Sequence, residues 1–255
     1  MLRLQPILAL LLFSLVLSAN GHDDLRGHIP EPNRPFEHPH GDPSSLTGVF
    51  HTGWESNYFS EGRDNLDGDS LWVSSFELGW EFFSTGVWYG SSPNQSYEEL
   101  QLSLAATYGF GDFEIYSAYT HLQFLSDDLD DNEIGAGLAW SGLPLDIELA
   151  ADVYYSFDAE GAFAEFGLGR AHTIVDKFIV DYAGIFGVNQ NYISDGHDGV
   201  NYAGLRLGVE YVITDNISLT AHGMYSWAVD ASSDLPGDEL LRDLFHGGVG
   251  LRISF

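Results

Sequence analysis

Carboxylates placed at every second position of apolar segments are the groups in this chain with the most chemistry to offer. Glu99, Gln101 and Ser103 alternate with Leu100, Leu102 and Leu104. Glu148 and Asp152 alternate with Leu149, Ala151 and Val153, and Arg206 and Glu210 with Leu205, Leu207 and Val209. Successive side chains of a strand point to opposite faces, so this spacing gathers the polar groups on one face and the aliphatic groups on the other. The same alternation along the chain assigns to the polar face Glu55, Glu77, Glu99, Glu133, Asp146, Glu148, Asp152, Glu165, Asp181, Arg206, Glu210 and Arg252, together with His222, His246 and Ser254. Carboxylates fixed around an aqueous path concentrate cations over anions. The alternative is a closed interior in which they pair with Arg206, Arg252 and the histidines. Buried charge has to be paired, and the carboxylates outnumber the bases, which favours a wet lumen.

Three other constellations offer chemistry. His222, Ser226 and His246 fall on neighbouring segments of the polar face, with Glu55 on the strand that would close the barrel, so a Ser/His/acid set is conceivable. No catalytic motif accompanies it, and neither catalytic residues nor a cofactor are expected. Asp64, Asp67 and Asp69, then Asp127, Asp128, Asp130 and Asp131, then Asp195 and Asp198 make acidic loops. Oxygen-rich loops can hold Ca2+, but Arg63 stands where the first ligand of an EF-hand would be relative to Gly68. Solvated loops are the expectation, with cation bridging to lipopolysaccharide as the alternative. His22, His28, His38 and His40 could gather Zn(II), yet their spacing matches no fixed site, so the sequence leaves any metal undefined.

Composition removes several classes. Lys plus Arg number 9 against 38 Asp plus Glu, a formal net charge of -29, and Lys177 is the sole lysine. Such a chain repels nucleic acid. Cysteine is absent, which removes disulfides and thiolate metal sites. Residues 1–21 combine Arg3, an apolar core and the small residues Ala19 and Gly21, the pattern of a signal peptide for Sec-type export. Residues 22–45 are rich in Pro and His and lack a period, which reads as a disordered periplasmic arm. Beyond the first segment no run nears the ~18 apolar residues a membrane helix needs, so crossing falls to strands.

The elements that must position these residues are about twelve strands, expected at 46–58, 70–80, 83–90, 97–108, 113–124, 133–141, 145–156, 162–170, 178–188, 201–212, 217–228 and 244–255. Long, mostly acidic connections alternate with short ones such as EF, GFGD, GLP and ITDN, with AHTIVDK somewhat longer. Bacterial membrane barrels show this asymmetry, with short periplasmic turns and longer outer loops. Aromatics gather at both strand ends, as interfacial girdles do. One group is Trp54, Tyr58, Trp72, Trp88, Tyr155, Tyr225 and Trp227; the other is Trp80, Phe82, Phe83, Tyr108, Phe110, Phe113, Trp140, Tyr211 and Phe255. Segment 113–124 reads apolar on either face. The final strand, LFHGGVGLRISF, alternates up to Phe255. Through Gly250, Ile253 and Phe255 it resembles the terminal signal read by the outer-membrane barrel-assembly machinery. The fold expected is all-β, an up-and-down antiparallel transmembrane β-barrel over 46–255, in the bacterial outer membrane and in contact with its lipid and lipopolysaccharide. Its oligomeric state is not fixed by the sequence.

The first hairpins resemble the opening of the TorF-type porins. The matching positions are Tyr58 and Phe59, Gly62 and Arg63, Gly86, Trp88 and Ser91, Glu98 and Glu99, and Tyr108 and Gly109, with Glu61-Gly62-Arg63 standing where those porins carry Arg-Gly. The resemblance spans about the first third of the barrel. It implies a small outer-membrane barrel with porin activity and no catalytic residues. Passive diffusion of small polar or cationic solutes is the function expected; a structural barrel with a plugged lumen is the alternative.

Overall fold

The computed structural model describes residues 46–255. The expected signal segment, the arm and its four histidines lie outside the described residues. The strands are β1 (Leu46–Glu55), β2 (Phe59–Ser60), β3 (Arg63–Asp64), β4 (Leu71–Trp80), β5 (Phe83–Ser91), β6 (Glu98–Phe110), β7 (Phe113–Phe124), β8 (Leu129–Trp140), β9 (Glu148–Ser156), β10 (Gly161–Val175), β11 (Phe178–Gln190), β12 (Gly199–Thr214), β13 (Ile217–Ala228) and β14 (Leu244–Ser254). All but β2 and β3 form one closed antiparallel barrel of twelve strands in chain order, sealed by β14 against β1. The pair β2 and β3 is a separate two-stranded hairpin.

Closure follows from the alternation. An apolar outer face can be covered only by hydrocarbon, and a sheet there must leave no backbone edge unpaired. Leu102, Leu104, Leu168, Leu205, Leu207 and Val249 are accordingly exposed on the outside. The molecule is an all-β transmembrane barrel. The aromatic belt at the short-turn end is partly continuous: Phe110 stacks on Phe113 at 5.5 Å, and Phe113 on Trp140 at 5.6 Å. Two expected belt members are elsewhere. Tyr58 and Trp88 turn inward and pack against the buried group Leu66, Leu71 and Val73. Trp88 occupies an inward position because it pairs with Ser75 on one side and Gln101 on the other.

Strand ends also depart from expectation. β1 stops at Glu55, and β10 continues to Val175, so 171–177 is mainly strand with a turn at residues 176 and 177. The ambiguous segment β7 presents Glu114, Tyr116, Ala118, Thr120 and Leu122 inward, with Phe113, Ile115 and Tyr119 outward. Asp146 is not on the lumen wall. Pro144–Asp146 form a 3-10 turn, with Leu145 at φ 66° and Asp146 at φ 52°, and the strand begins only at Glu148. Residues in that left-handed region cannot continue a β-ladder. The Asp146 side chain is 87% exposed and meets Arg170 at 3.0 Å.

Candidate functional site

The alternation places Glu55, Glu77, Glu99, Glu133, Glu148, Asp152, Glu165, Asp181, Arg206, Glu210 and Arg252 on the inward phase of their strands. Cross-strand partners share these faces: Glu165 stands opposite Asp152, Arg252 opposite His51, and Asp181 opposite Gly208. Arg206 donates through Nη1 to Asp181, both almost wholly buried. Gly208 makes room for this pair, because a Cβ there would run into the Asp181 carboxylate.

Counting bases overlooked the principal donors of the interior, which are tyrosine hydroxyls. Glu99, 1% exposed, accepts from Tyr58 Oη at 2.8 Å, from Tyr97 Oη, and from Gln101 Nε2 at 2.7 Å. Asp152 accepts from Tyr116 Oη at 2.5 Å, and Glu133 from Tyr192 Oη at 2.5 Å. Tyr154 Oη donates to Glu61 at 2.8 Å. A phenol satisfies the lone pairs of a carboxylate without cancelling its charge. Desolvation in this interior, followed by the neighbouring carboxylates, pushes the loop phenols Tyr58, Tyr97 and Tyr192 well above their ordinary range, so they remain donors.

The first long loop, residues 56–70, folds into the mouth instead of standing out in water. Phe59, Glu61, Arg63, Asp64 and Leu66 are all buried. Phe59 joins an apolar cluster with Phe163, Ala183, Ile185, Tyr202 and Met224. Its ring stacks on His246 at 4.4 Å and meets Tyr202 edge-on at 5.3 Å. The reversal at Gly62 needs φ +82°, and a Cβ there would lie 2.8 Å from Tyr202, so glycine is required twice over. The last long loop, 229–243, covers the first. Arg63 Nε donates to the Gly237 carbonyl at 2.6 Å, and its Nη2 lies 3.4 Å from Asp238. Arg242 reaches back to Asp64 at 2.5 Å and to Asp67 at 2.8 Å. The loop between β11 and β12 joins in, since His197 Nδ1 lies 2.8 Å from Asp238. The sequence signal for this inserted loop was Phe59 and Leu66 flanking Gly62 and Arg63, apolar residues that a solvated loop would not need.

The loop acids are thus largely occupied by loop structure. Asp69 accepts from the Ser70 amide at 2.9 Å, from Ser92 at 2.9 Å and from Asn94 at 2.6 Å. Among the described residues, the one group of three whose ligating atoms lie within 4.8 Å of one another is Glu55, His222 and His246. Ser226 stands four residues from His222 along β13, roughly 13 Å at the rise of a strand; it lies diagonally across from His246, but its Oγ is buried without a hydrogen-bond partner. The serine is therefore not bonded into a Ser/His/acid set, while the two histidines and the acid lie together.

No family model matches the chain, and no curated protein does. Solved structures do. A "KdgM porin" is 9% identical with a TM-score of 0.54, covering 82% of this chain and 99% of its own. A "NanC porin" is 10% identical with a TM-score of 0.52, covering 81% and 98%. An outer membrane channel from Pseudomonas putida F1 is 10% identical with a TM-score of 0.52, covering 89% and 100%. This is the barrel fold of small outer-membrane porins. At such identity the likeness shows the fold alone.

Proposed function

We propose that the chain is an outer-membrane channel for passive diffusion of small polar or cationic solutes, exported by a Sec-type signal and closed into the membrane by the barrel-assembly machinery. The observation that carries this reading is the inward phase of Glu77, Glu99, Glu133, Glu148, Asp152, Glu165 and Glu210, several of them met by phenol donors and far outnumbering the inward cations. A low-dielectric wall studded with such charges raises the local cation concentration. One solved structure of similar fold is a KdgM porin in complex with disordered oligogalacturonate. An acidic saccharide would be repelled by the wall described here, so a different solute class is inferred for this chain. The TorF-type likeness of the first hairpins agrees with a porin.

The test is conductance of the refolded protein in a planar bilayer under a salt gradient. A cation-selective reversal potential is expected, and Glu99→Gln, Glu148→Gln and Asp152→Asn together should shift it towards zero. An unchanged reversal potential would remove these carboxylates from the selectivity. The buried loop 56–70 favours a second reading, a structural barrel whose mouth is plugged. That reading calls for a folded protein that stays silent in the bilayer.

A further inference from the structure

Glu55, His222 and His246 sit on three adjacent strands, β1, β13 and β14, at the seam where the barrel closes. Gly248 pairs with Glu55 on one side and with His222 on the other. Glu55 and His222 therefore reach towards each other over a residue that has no side chain. A Cβ on Gly248 would collide with the Glu55 carboxylate, so the glycine keeps a hollow in the wall. His222 Nε2 lies 3.2 Å from Glu55 Oε2. His246, two residues before Gly248 on the same inward face, is only 3% exposed, and its Nε2 is buried without a hydrogen-bond partner. A buried imidazole nitrogen left without a partner is costly, whereas as a metal ligand it would be satisfied.

The geometry points to a divalent transition-metal site, Zn(II) foremost, held by Glu55, His222 and His246 and opening on the lumen. Two imidazoles and one carboxylate are the donor set of open zinc sites, which keep further positions for water or solute. With metal–ligand bonds of ~2.0–2.2 Å, tetrahedral ligand atoms stand about 3.3 Å apart. The three groups already lie within 4.8 Å of one another, so small side-chain rotations suffice. The cation Arg206 is engaged by Asp181 and does not compete for the carboxylate. Phe59 stacked on His246 shields one face of the site and ties it to the inserted loop. The inference is independent of whether the lumen conducts.

The test is calorimetric titration of the folded protein, stripped with chelator, with Zn(II), together with the visible spectrum after Co(II) addition, which reports tetrahedral nitrogen and oxygen ligation. One equivalent is expected in the parent protein that is lost in the double variant His222→Ala, His246→Ala. Glu55→Gln should weaken it at least tenfold. Separate replacement of the arm histidines should leave this equivalent intact. Equal uptake in the parent and in the seam variants, or no uptake by the parent, would overturn the site. Should the double variant not fold, Glu55→Gln and His222→Gln, both close to the native side chains in size, decide between the same outcomes.

Discussion

Arg63 and Asp238 meet at 3.4 Å across the mouth of the barrel, both side chains almost fully withdrawn from water, although they belong to the first and last long loops. Asp238 also accepts from His197 Nδ1 at 2.8 Å and from the Ser232 amide at 2.9 Å, so one carboxylate ties three loops together. Removing one partner of a buried ion pair leaves an uncompensated charge and costs roughly 3–5 kcal/mol. Asp238→Asn should therefore release the inserted loop. Larger or more frequently opening currents in a planar bilayer would show it; currents indistinguishable from the parent protein would mean that the latch does not hold the mouth.

Loop docking should be tightest over an intermediate acidic range. Burial opposes ionisation of Asp238, but the hydrogen bonds from Ser232 and His197 outweigh it and hold the carboxyl below its ordinary 3.8. Its contribution is present above that ordinary value and is lost as pH falls through the lower, docked one. Burial pushes Glu61 above its ordinary 4.5 against the hydrogen bonds from Ser60 and Tyr154. Its preference for the docked state is full below 4.5 and fades as pH rises through the raised value. The chain has no native cysteine, so a spin label on Asn65→Cys reports the loop alone. Its mobility is expected to rise on both sides of the interval, and a monotonic curve would contradict the opposed signs.

Gly62→Val should expel the loop by a different route. A branched residue at φ +82° is strained, and its Cβ would press on Tyr202 at 2.8 Å and on Leu241 at 3.1 Å. A cost above ~2 kcal/mol on docking is expected. The same spin label should become mobile while the barrel keeps its resistance to unfolding by detergent at room temperature.

The pair Arg206 and Asp181 offers a test of interior charge. Arg206→Met alone should destabilise the barrel by about 3 kcal/mol, because Asp181 is left buried without its partner. The double variant Arg206→Met, Asp181→Leu should recover most of this loss. Urea unfolding in lipid vesicles measures both, and equal losses in the single and double variants would show that the charge of Asp181 is not what is being left unpaired.

The wall was legible and the contents were not. A period of two fixes which side of a strand each residue faces, so Glu99, Asp152 and Glu165 fell on the lumen without knowledge of any contact. Asp146 failed because Pro144 begins a turn that the alternation does not register. Trp88 was read as a belt residue because it lies near a strand end, yet its phase is inward, and phase decides. The inserted loop has no period at all. Its docking depends on contacts between Phe59, Tyr202 and His246, residues far apart in sequence. Tyrosines as carboxylate donors were hidden for a related reason: which phenol reaches which acid depends on the shear of neighbouring strands.

Closure of the barrel sets the order of its making. The Gly48 amide donates to the Phe255 carbonyl at 2.8 Å, and the Phe255 amide donates back to Gly48 at 2.9 Å. These bonds join opposite ends of the sheet, and bringing such distant segments together costs ~5 kcal/mol of loop entropy, from (3/2)RT ln n with n of about 200. Until β14 arrives, β1 and the newest strand are both raw edges able to recruit any other extended chain. A partly delivered chain is thus an aggregation hazard until β14 pairs with β1 and leaves the sheet without an edge.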